Sequence, residues 1–154
     1  MTAGSTVLVF GFCNTIAHEI ASHLAELADV LYIESSALAI KELVEQVSSE
    51  NYYQIIGIGQ YSGRDQENIR IETHCTSQFR NNKANLRTLP IPYQYAPVPP
   101  FKLANGIGTS WCNLVSYEIL RASPGARYTF LHVPKEYGAE AAVTAISEQL
   151  KTLR

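Results

Sequence analysis

Stretches of consecutive apolar residues alternate along this chain with stretches in which apolar residues recur every three or four positions. Val7–Phe12 is apolar throughout, which is typical of a strand covered on both faces. Val30–Ile33, Tyr52–Ile58 and Tyr128–Val133 predict three more strands. Ile69–Thr73 alternates apolar with polar residues and therefore predicts a strand with one exposed face.

Helical spacing marks the segments between these strands. The predicted helices cover about Ile16–Leu27, Leu38–Val47, Ser110 or Trp111 to Arg121, and Ala139–Leu153. Asn14 is expected to cap the first helix, Ser35 and Ser36 precede the second, and Ala142, Ile146 and Leu150 are expected to face inward from the last. This alternation predicts an α/β fold, a three-layer helix–sheet–helix sandwich with a mostly parallel or mixed central sheet.

The segment Leu89–Gly108 interrupts the alternation with closely spaced prolines at positions 90, 92, 97, 99 and 100. Proline fixes φ and lacks an N–H, so we expect neither a helix nor a central strand here, but an ordered loop or a lid. Tyr93, Tyr95 and Phe101 make the segment apolar enough to form a homo-oligomer interface or to cover an active site. The sequence leaves both alternatives open.

Composition narrows the class of protein. A length of 154 residues with 46% hydrophobic and 17% charged residues predicts a single globular domain over residues 1–154. A net charge of −2 with scattered basic residues argues against nucleic-acid binding. The first apolar run is too short, and lacks the basic flank, for a signal peptide or a membrane span. Three cysteines without disulfide spacing favour a reducing, cytoplasmic setting.

Two motifs near the end of the chain contain residues that can do chemistry. Gly108–Asn113 places Cys112 where a glycine turn gives way to a helix, and amides at a helix start favour thiolate over thiol. Phe130–Pro134 places His132 at the end of a strand. The segment between them is long enough for one helix and a return strand, which would bring both side chains to one edge of the sheet. A cysteine–histidine couple is the minimum equipment of a thiol hydrolase.

Cofactor sites are not expected. Gly57, Gly59 and Gly63 miss the dinucleotide fingerprint by one position. His18, His23 and His74 do not combine with the cysteines into a metal-ligand spacing. We therefore expect neither a metal ion nor an organic cofactor.

Five blocks of the sequence together resemble the pyroglutamyl-peptidase I family, also called pyrrolidone-carboxylate peptidases. The blocks are Val7–Phe12, Ile58–Arg64, Ile69–Glu72, Gly108–Asn113 and Phe130–Pro134. Each block alone could arise by chance, but five in the family's order form a specific pattern. Members of this family are cysteine exopeptidases that remove an N-terminal pyroglutamyl residue.

The resemblance implies a catalytic role for four residues. Cys112 would be the nucleophile, and His132 would be the general base and then the general acid. Glu72 would hold the far imidazole nitrogen and fix its tautomer. Arg80 resembles the arginine that follows the family's glutamate, and it would stabilise the oxyanion together with the Cys112 backbone N–H.

Three further residues are expected to bind the substrate, a peptide with an N-terminal pyroglutamate. Gln60 occupies the position of the family's glutamine, and its amide can match both the N–H and the C=O of the lactam. Phe12 corresponds to a pocket phenylalanine, and Trp111 directly precedes the nucleophile.

The chain also departs from the family pattern. The family's second pocket phenylalanine is absent after Phe12, and the proline-rich run replaces a helix expected before the cysteine motif. The chain is thus expected to be a shortened and partly divergent relative. Two alternatives to an active pyroglutamyl peptidase stay open: a relative that binds a lactam or another small ligand without turnover, and a thiol hydrolase with a different acyl substrate.

Overall fold

Strands and helices alternate through most of the computed structural model, which describes residues 6–83 and 85–153. The strands are β1 (Val7–Phe12), β2 (Asp29–Ile33), β3 (Gln54–Tyr61), β4 (Ile69–Glu72), β5 (His74–Thr76), β6 (Thr88–Pro90), β7 (Phe101–Ala104) and β8 (Tyr128–Pro134). The helices are α1 (Ile16–Ser22), α2 (Ala37–Ser49), α3 (Trp111–Ala122) and α4 (Ala139–Thr152).

Six strands form a mixed sheet in the order β2-β1-β3-β8-β4-β7. The strands β2, β1, β3 and β8 are parallel to one another, whereas β4 is antiparallel to β8 and parallel to β7. A separate antiparallel pair, β5 and β6, lies outside this sheet. The parallel strands end at one edge of the sheet, which is where ligands bind in open α/β sheets.

Alternate residues of the strands contribute to two apolar clusters, one on each face of the sheet. Val7 and Val9 of β1 belong to the cluster that contains the inner sides of α1 and α4. Leu8 and Phe10 belong to the cluster that contains those of α2 and α3. Because helices cover both faces, the central strands are apolar throughout, and the predicted three-layer α/β sandwich is confirmed.

The helix predictions are confirmed for α2, α3 and α4. Ser36 caps α2 by accepting a hydrogen bond from the Ala39 N–H at 3.1 Å. The three residues predicted to face inward from α4, Ala142, Ile146 and Leu150, are fully buried. In the part of the chain that the structure describes, no helix is both long and apolar enough to cross a membrane.

The prediction for α1 is wrong in two details. Thr15, not Asn14, caps this helix, because its hydroxyl accepts from the Ala17 N–H at 3.1 Å while Asn14 adopts a left-handed φ of 61°. The helix also ends at Ser22 rather than near Leu27. Beyond it the chain continues in tight turns, such as the 3.0 Å bond from the Leu24 N–H to the Ala21 carbonyl.

Two predictions for the second half of the sheet also need correction. The strand β4 does not have an exposed face at Glu72, which is fully buried because the chain around Gly106 lies over it. The proline-rich segment contains no helix, as predicted, but it is not a loop throughout, because it includes the end of β6 and the whole of β7. The strand β7 lies at the edge of the sheet and pairs with β4 alone, and it contains no proline.

We predict that Gly57→Ala destabilises the protein by about 1–3 kcal/mol, because overpacking forces neighbouring groups to shift. A Cβ at this position of β3 would lie 2.5 Å from the Phe10 ring and 2.7 Å from the Phe130 ring. Urea denaturation measures the loss. Gly125→Ala is the control, since its added methyl group meets nothing within 4 Å. Equal stability of the two variants would contradict the packing described here.

Candidate active site

One row of residues crosses three neighbouring strands at the candidate site. Gly59 of β3 pairs with His132 of β8, which pairs in turn with Arg70 of β4. Paired residues on adjacent strands project to the same face of a sheet. Phe130 shares this face, belongs to the cluster beneath α3, and packs its ring edge-on against the imidazole of His132 with centroids 5.1 Å apart. The imidazole therefore lies on the α3 side of the sheet.

The buried carboxylate of Glu72 holds this imidazole. The Nδ1 atom of His132 lies 2.8 Å from Oε2 of Glu72. Arg70 donates from Nε to the same oxygen at 3.1 Å, and the backbone N–H of Gly106 donates to Oε1 at 3.3 Å. The carboxylate thus joins β4, β8 and the loop before α3.

The charge of Glu72 is favoured by its partners. Burial alone raises the pKa of this carboxyl group, but the hydrogen bond and charge of His132, together with the nearby Arg70, outweigh burial and lower the pKa below its ordinary 4.5. An ionised carboxylate accepts the proton on Nδ1 and so leaves Nε2 as the basic nitrogen.

Arg70 also belongs to this site, although the sequence predicted that it lies on the exposed face of its strand. Its guanidinium carbon lies 4.5 Å from the centre of the Tyr61 ring, and Nη1 is 3.5 Å from the Tyr61 hydroxyl. The signal that could have indicated it is its spacing from Glu72, because residues two apart in a strand share a face.

Cys112 is the second residue of α3, and its sulfur lies against the backbone of Gly59. A Cβ added to Gly59 would be 2.7 Å from Sγ, so only glycine leaves room for the sulfur at this position. Since Gly59 is the direct neighbour of His132 in the sheet, the structure brings Cys112, His132 and Glu72 together at one site.

Cys112 is not favoured as a thiolate in the free protein, contrary to the expectation from its helix start. Burial raises the pKa of the thiol to about 12, and the negative charge of Glu72 adds to the rise. The Cys112 backbone N–H acts in the opposite direction but does not compensate. The protonated thiol is therefore the favoured form of Cys112 in the free protein.

Asn113 fixes the first turn of α3, a function that the sequence did not indicate beyond its place after Cys112. Its side chain is fully buried. The carbonyl oxygen accepts from the Thr76 N–H at 2.7 Å, and the amide nitrogen donates to the Thr76 and Gln78 carbonyls at 3.0 and 2.8 Å. These bonds tie the helix that bears Cys112 to the segment that follows Glu72.

An open cavity of about 310 Å³, the cysteine cavity, lies in front of these residues. It is lined by Phe12, Thr15, Ser35, Gln60, Ile107, Gly108, Thr109, Ser110, Trp111, Cys112 and His132. All three residues predicted to bind substrate are therefore at its wall. Among the described residues there is no group of three or more His, Cys, Asp or Glu side chains that could hold a metal ion.

The amide of Gln60 is already engaged at one end. Its Oε1 accepts a hydrogen bond from the Ile16 N–H at 3.1 Å, which orients the side chain at the start of α1. An amide oxygen has two lone pairs, so it can accept once more while Nε2 donates. The Trp111 ring is held by the ring of Phe79, with centroids 4.9 Å apart.

Arg80 lies beside the cysteine cavity but not among the residues that line it. Its exposed guanidinium carbon is 5.0 Å from the Phe79 ring centre and 5.4 Å from that of Trp111. Its backbone N–H donates to the Thr109 carbonyl. The structure thus places Arg80 against the Phe79 and Trp111 rings, and its role at an oxyanion stays a prediction.

The fold is similar to those of solved peptidases over nearly the whole chain. The pyrrolidone carboxyl peptidase of Thermococcus litoralis superposes with a TM-score of 0.76 at 17% identity, covering 97% of this chain and 92% of that one. The enzyme of Fervidobacterium islandicum gives 0.79 at 16%, covering 97% and 98%. Pyroglutamyl peptidase I of Bacillus amyloliquefaciens gives 0.73 at 17%, covering 97% and 94%.

Comparison of the sequence with family models and curated proteins finds no further relative. No model of a protein family matches the chain, and no curated protein matches it either. At such low identity the structural similarity establishes the fold. The chain has the α/β fold of the pyrrolidone carboxyl peptidases, and the resemblance expected from the five sequence blocks is confirmed at that level.

We predict that Glu72 makes the stability of the protein sensitive to acid. Because its pKa is lowered by folding, the ionised carboxylate stabilises the fold above pH 4.5, and this contribution is lost as the pH falls through the folded-state pKa. Urea denaturation between about pH 7 and pH 3 should show that Glu72→Gln loses less stability on acidification than the wild type, by about 1–3 kcal/mol.

The control for this titration is Glu118→Gln. Glu118 pairs with Arg121 on the surface of α3, and exposed ion pairs contribute little. This variant should keep the acid sensitivity of the wild type. If Glu72→Gln kept the pH dependence of the wild type, the buried carboxyl group of Glu72 would not be ionised in the folded protein.

Proposed function

We propose that this protein is a cysteine peptidase that removes pyroglutamyl groups from the N-termini of peptides. Two contacts support the proposal. Glu72 and His132 form a 2.8 Å hydrogen bond, and the Cys112 sulfur lies against Gly59, which pairs with His132 in the sheet. The fold shared with pyroglutamyl peptidases supports the choice of substrate.

The first half of the reaction forms an acyl-enzyme. As the Cys112 sulfur bonds to the carbonyl carbon of the pyroglutamyl residue, Nε2 of His132 takes the thiol proton. The carbonyl electrons move onto the oxygen, where the Cys112 backbone N–H would stabilise the charge. When the C–N bond breaks, His132 gives its proton to the leaving amine and a thioester remains.

The second half releases the acid. His132 takes a proton from water as the water oxygen attacks the thioester carbon, and the C–S bond then breaks. The proton returns to the sulfur, so the free enzyme is restored with a neutral thiol and a neutral imidazole. The Glu72 carboxylate stays ionised throughout and stabilises the imidazolium that forms in each half.

The walls of the cysteine cavity suit a small lactam. The Phe12 and Trp111 rings can contact the apolar faces of the ring. Gln60 can donate from Nε2 to the lactam carbonyl and accept the lactam N–H on the free lone pair of Oε1. A site that hydrogen-bonds a buried ligand rejects analogues that leave its polar groups unpaired.

We predict that the protein releases 4-nitroaniline from pyroglutamyl 4-nitroanilide, and that Cys112→Ser and His132→Ala each lower kcat/KM by about a thousandfold or more. Absorbance of the released amine measures the rate. A wild-type protein that leaves several pyroglutamyl amides intact would contradict the proposed specificity.

A matched pair of glycine variants tests the position of the sulfur in the same assay. A methyl group at either Gly59 or Gly57 meets the Phe130 ring, but only the one at Gly59 meets Sγ of Cys112. Gly59→Ala should therefore lose about a hundredfold in kcat, because displacing a reacting atom by about 1 Å costs that much. Gly57→Ala should keep most of its activity per folded molecule.

A second candidate function is binding of a lactam without turnover. The observation that favours it is the protonated thiol of Cys112, whose pKa of about 12 leaves almost no thiolate at neutral pH. A binding protein would share the cysteine cavity but would not transfer the thiol proton to His132.

We predict that iodoacetamide modifies Cys112 more slowly than Cys13 at neutral pH, and that the rate at Cys112 still rises above pH 9 because burial raises its pKa. Peptide mass mapping measures each site separately. Faster modification of Cys112 at pH 7 would show that the helix start outweighs burial.

Pyroglutamyl chloromethyl ketone separates the two functions, since a peptidase should be labelled rapidly at Cys112 through His132 and a binding protein should not.

A further inference from the structure

We propose that a second cavity next to the cysteine cavity binds the part of the peptide that leaves, the residues after the pyroglutamyl group. This inference rests on the proposed function. The second cavity, called here the leaving-peptide cavity, has a volume of about 440 Å³. It is lined by His74, Thr76, Gln78, Thr88, Asn105, Gly106, Ile107, Gly108 and Thr109.

The two cavities meet at one short segment. Ile107, Gly108 and Thr109 line both of them. Gly108 has a φ of +92°, and the space beside its Cα is open, since a Cβ there would meet nothing within 4 Å. A peptide whose scissile carbonyl is at Cys112 can therefore continue across Gly108 into the second cavity.

The shared segment is anchored to the catalytic residues. The Gly106 N–H donates to Glu72 at 3.3 Å, and the Thr109 carbonyl accepts from the Arg80 N–H. On the far wall, Asn113 holds the backbone of Thr76 and Gln78. The leaving-peptide cavity is thus fixed in position relative to Cys112, as a substrate subsite must be.

The chemistry of the lining suits an uncharged peptide chain. Imidazole, hydroxyl and amide side chains on His74, Thr76, Gln78, Thr88 and Asn105 supply donors and acceptors. Of the described residues that line this cavity, none is Asp, Glu, Lys or Arg. The acyl side of the substrate is assigned to the wall of Phe12 and Gln60 in the cysteine cavity. The side beyond Gly108 is then available to the amine product.

The test compares substrates of different length. Pyroglutamyl 4-nitroanilide and pyroglutamyl-alanine reach little beyond the cysteine cavity, whereas a pyroglutamyl peptide with four alanines extends past Gly108. The wild type should have a KM for the extended peptide about tenfold below that for pyroglutamyl-alanine, the equivalent of a few added contacts.

Thr88→Trp is the informative variant, because Thr88 is exposed on β6 and a large ring there would fill the leaving-peptide cavity. It should raise KM for the extended peptide about tenfold and leave the kinetics of the 4-nitroanilide unchanged. Asn105→Ala, which removes an amide from the same wall, should shift KM in the same direction by a smaller factor. Thr144→Trp, the same change at an exposed position on α4, should alter neither.

The outcomes separate this inference from the proposed function. Absence of activity on every pyroglutamyl substrate would overturn the proposed function and this inference with it. Activity on the 4-nitroanilide with equal KM for short and extended peptides would overturn this inference alone. An equal effect of Thr88→Trp on all substrates would also overturn it, since a general disturbance of the site would then explain the change.

Discussion

The buried carboxylate of Glu72 is the interaction on which the rest of the site depends. An ionised group without contact to water is costly unless charges and hydrogen bonds compensate it. His132, Arg70 and the Gly106 N–H provide that compensation from β8, β4 and the loop before α3. The Glu72 side chain therefore orients the His132 imidazole, links β4 to β8 and holds the loop at Gly106, next to the segment shared by the two cavities.

The second constraint is the absence of side chains at two positions of β3. The face of the sheet beneath α3 is crowded by the rings of Phe10 and Phe130, and glycines at positions 57 and 59 are what lets these rings and the Cys112 sulfur approach the backbone. The Cys112 sulfur is therefore positioned by a missing side chain on β3 as much as by its own helix. Asn113 completes this arrangement by fixing the first turn of α3 to the end of β5 and to Gln78 beyond it.

Burial and the helix start act on Cys112 in opposite directions. Amides at the first turn favour the thiolate, but desolvation and the neighbouring carboxylate favour the thiol, and the second pair of effects is larger. A protonated thiol avoids a second negative charge beside the Glu72 carboxylate. The proposed mechanism accordingly moves the proton while the carbon–sulfur bond forms, when charge also develops on the substrate oxygen.

The sequence by itself determined the alternation of strands and helices, because periods of two and 3.6 residues are local properties that burial on both faces reinforces. It also indicated Cys112 and His132 through their places at a helix start and a strand end, and Glu72 through resemblance. Only the tertiary structure decided that Glu72 is buried with Arg70 as its partner, that Gly59 lies beneath the sulfur and that β7 joins the sheet. Those contacts depend on strand order and register between segments far apart in the chain, which no local pattern specifies.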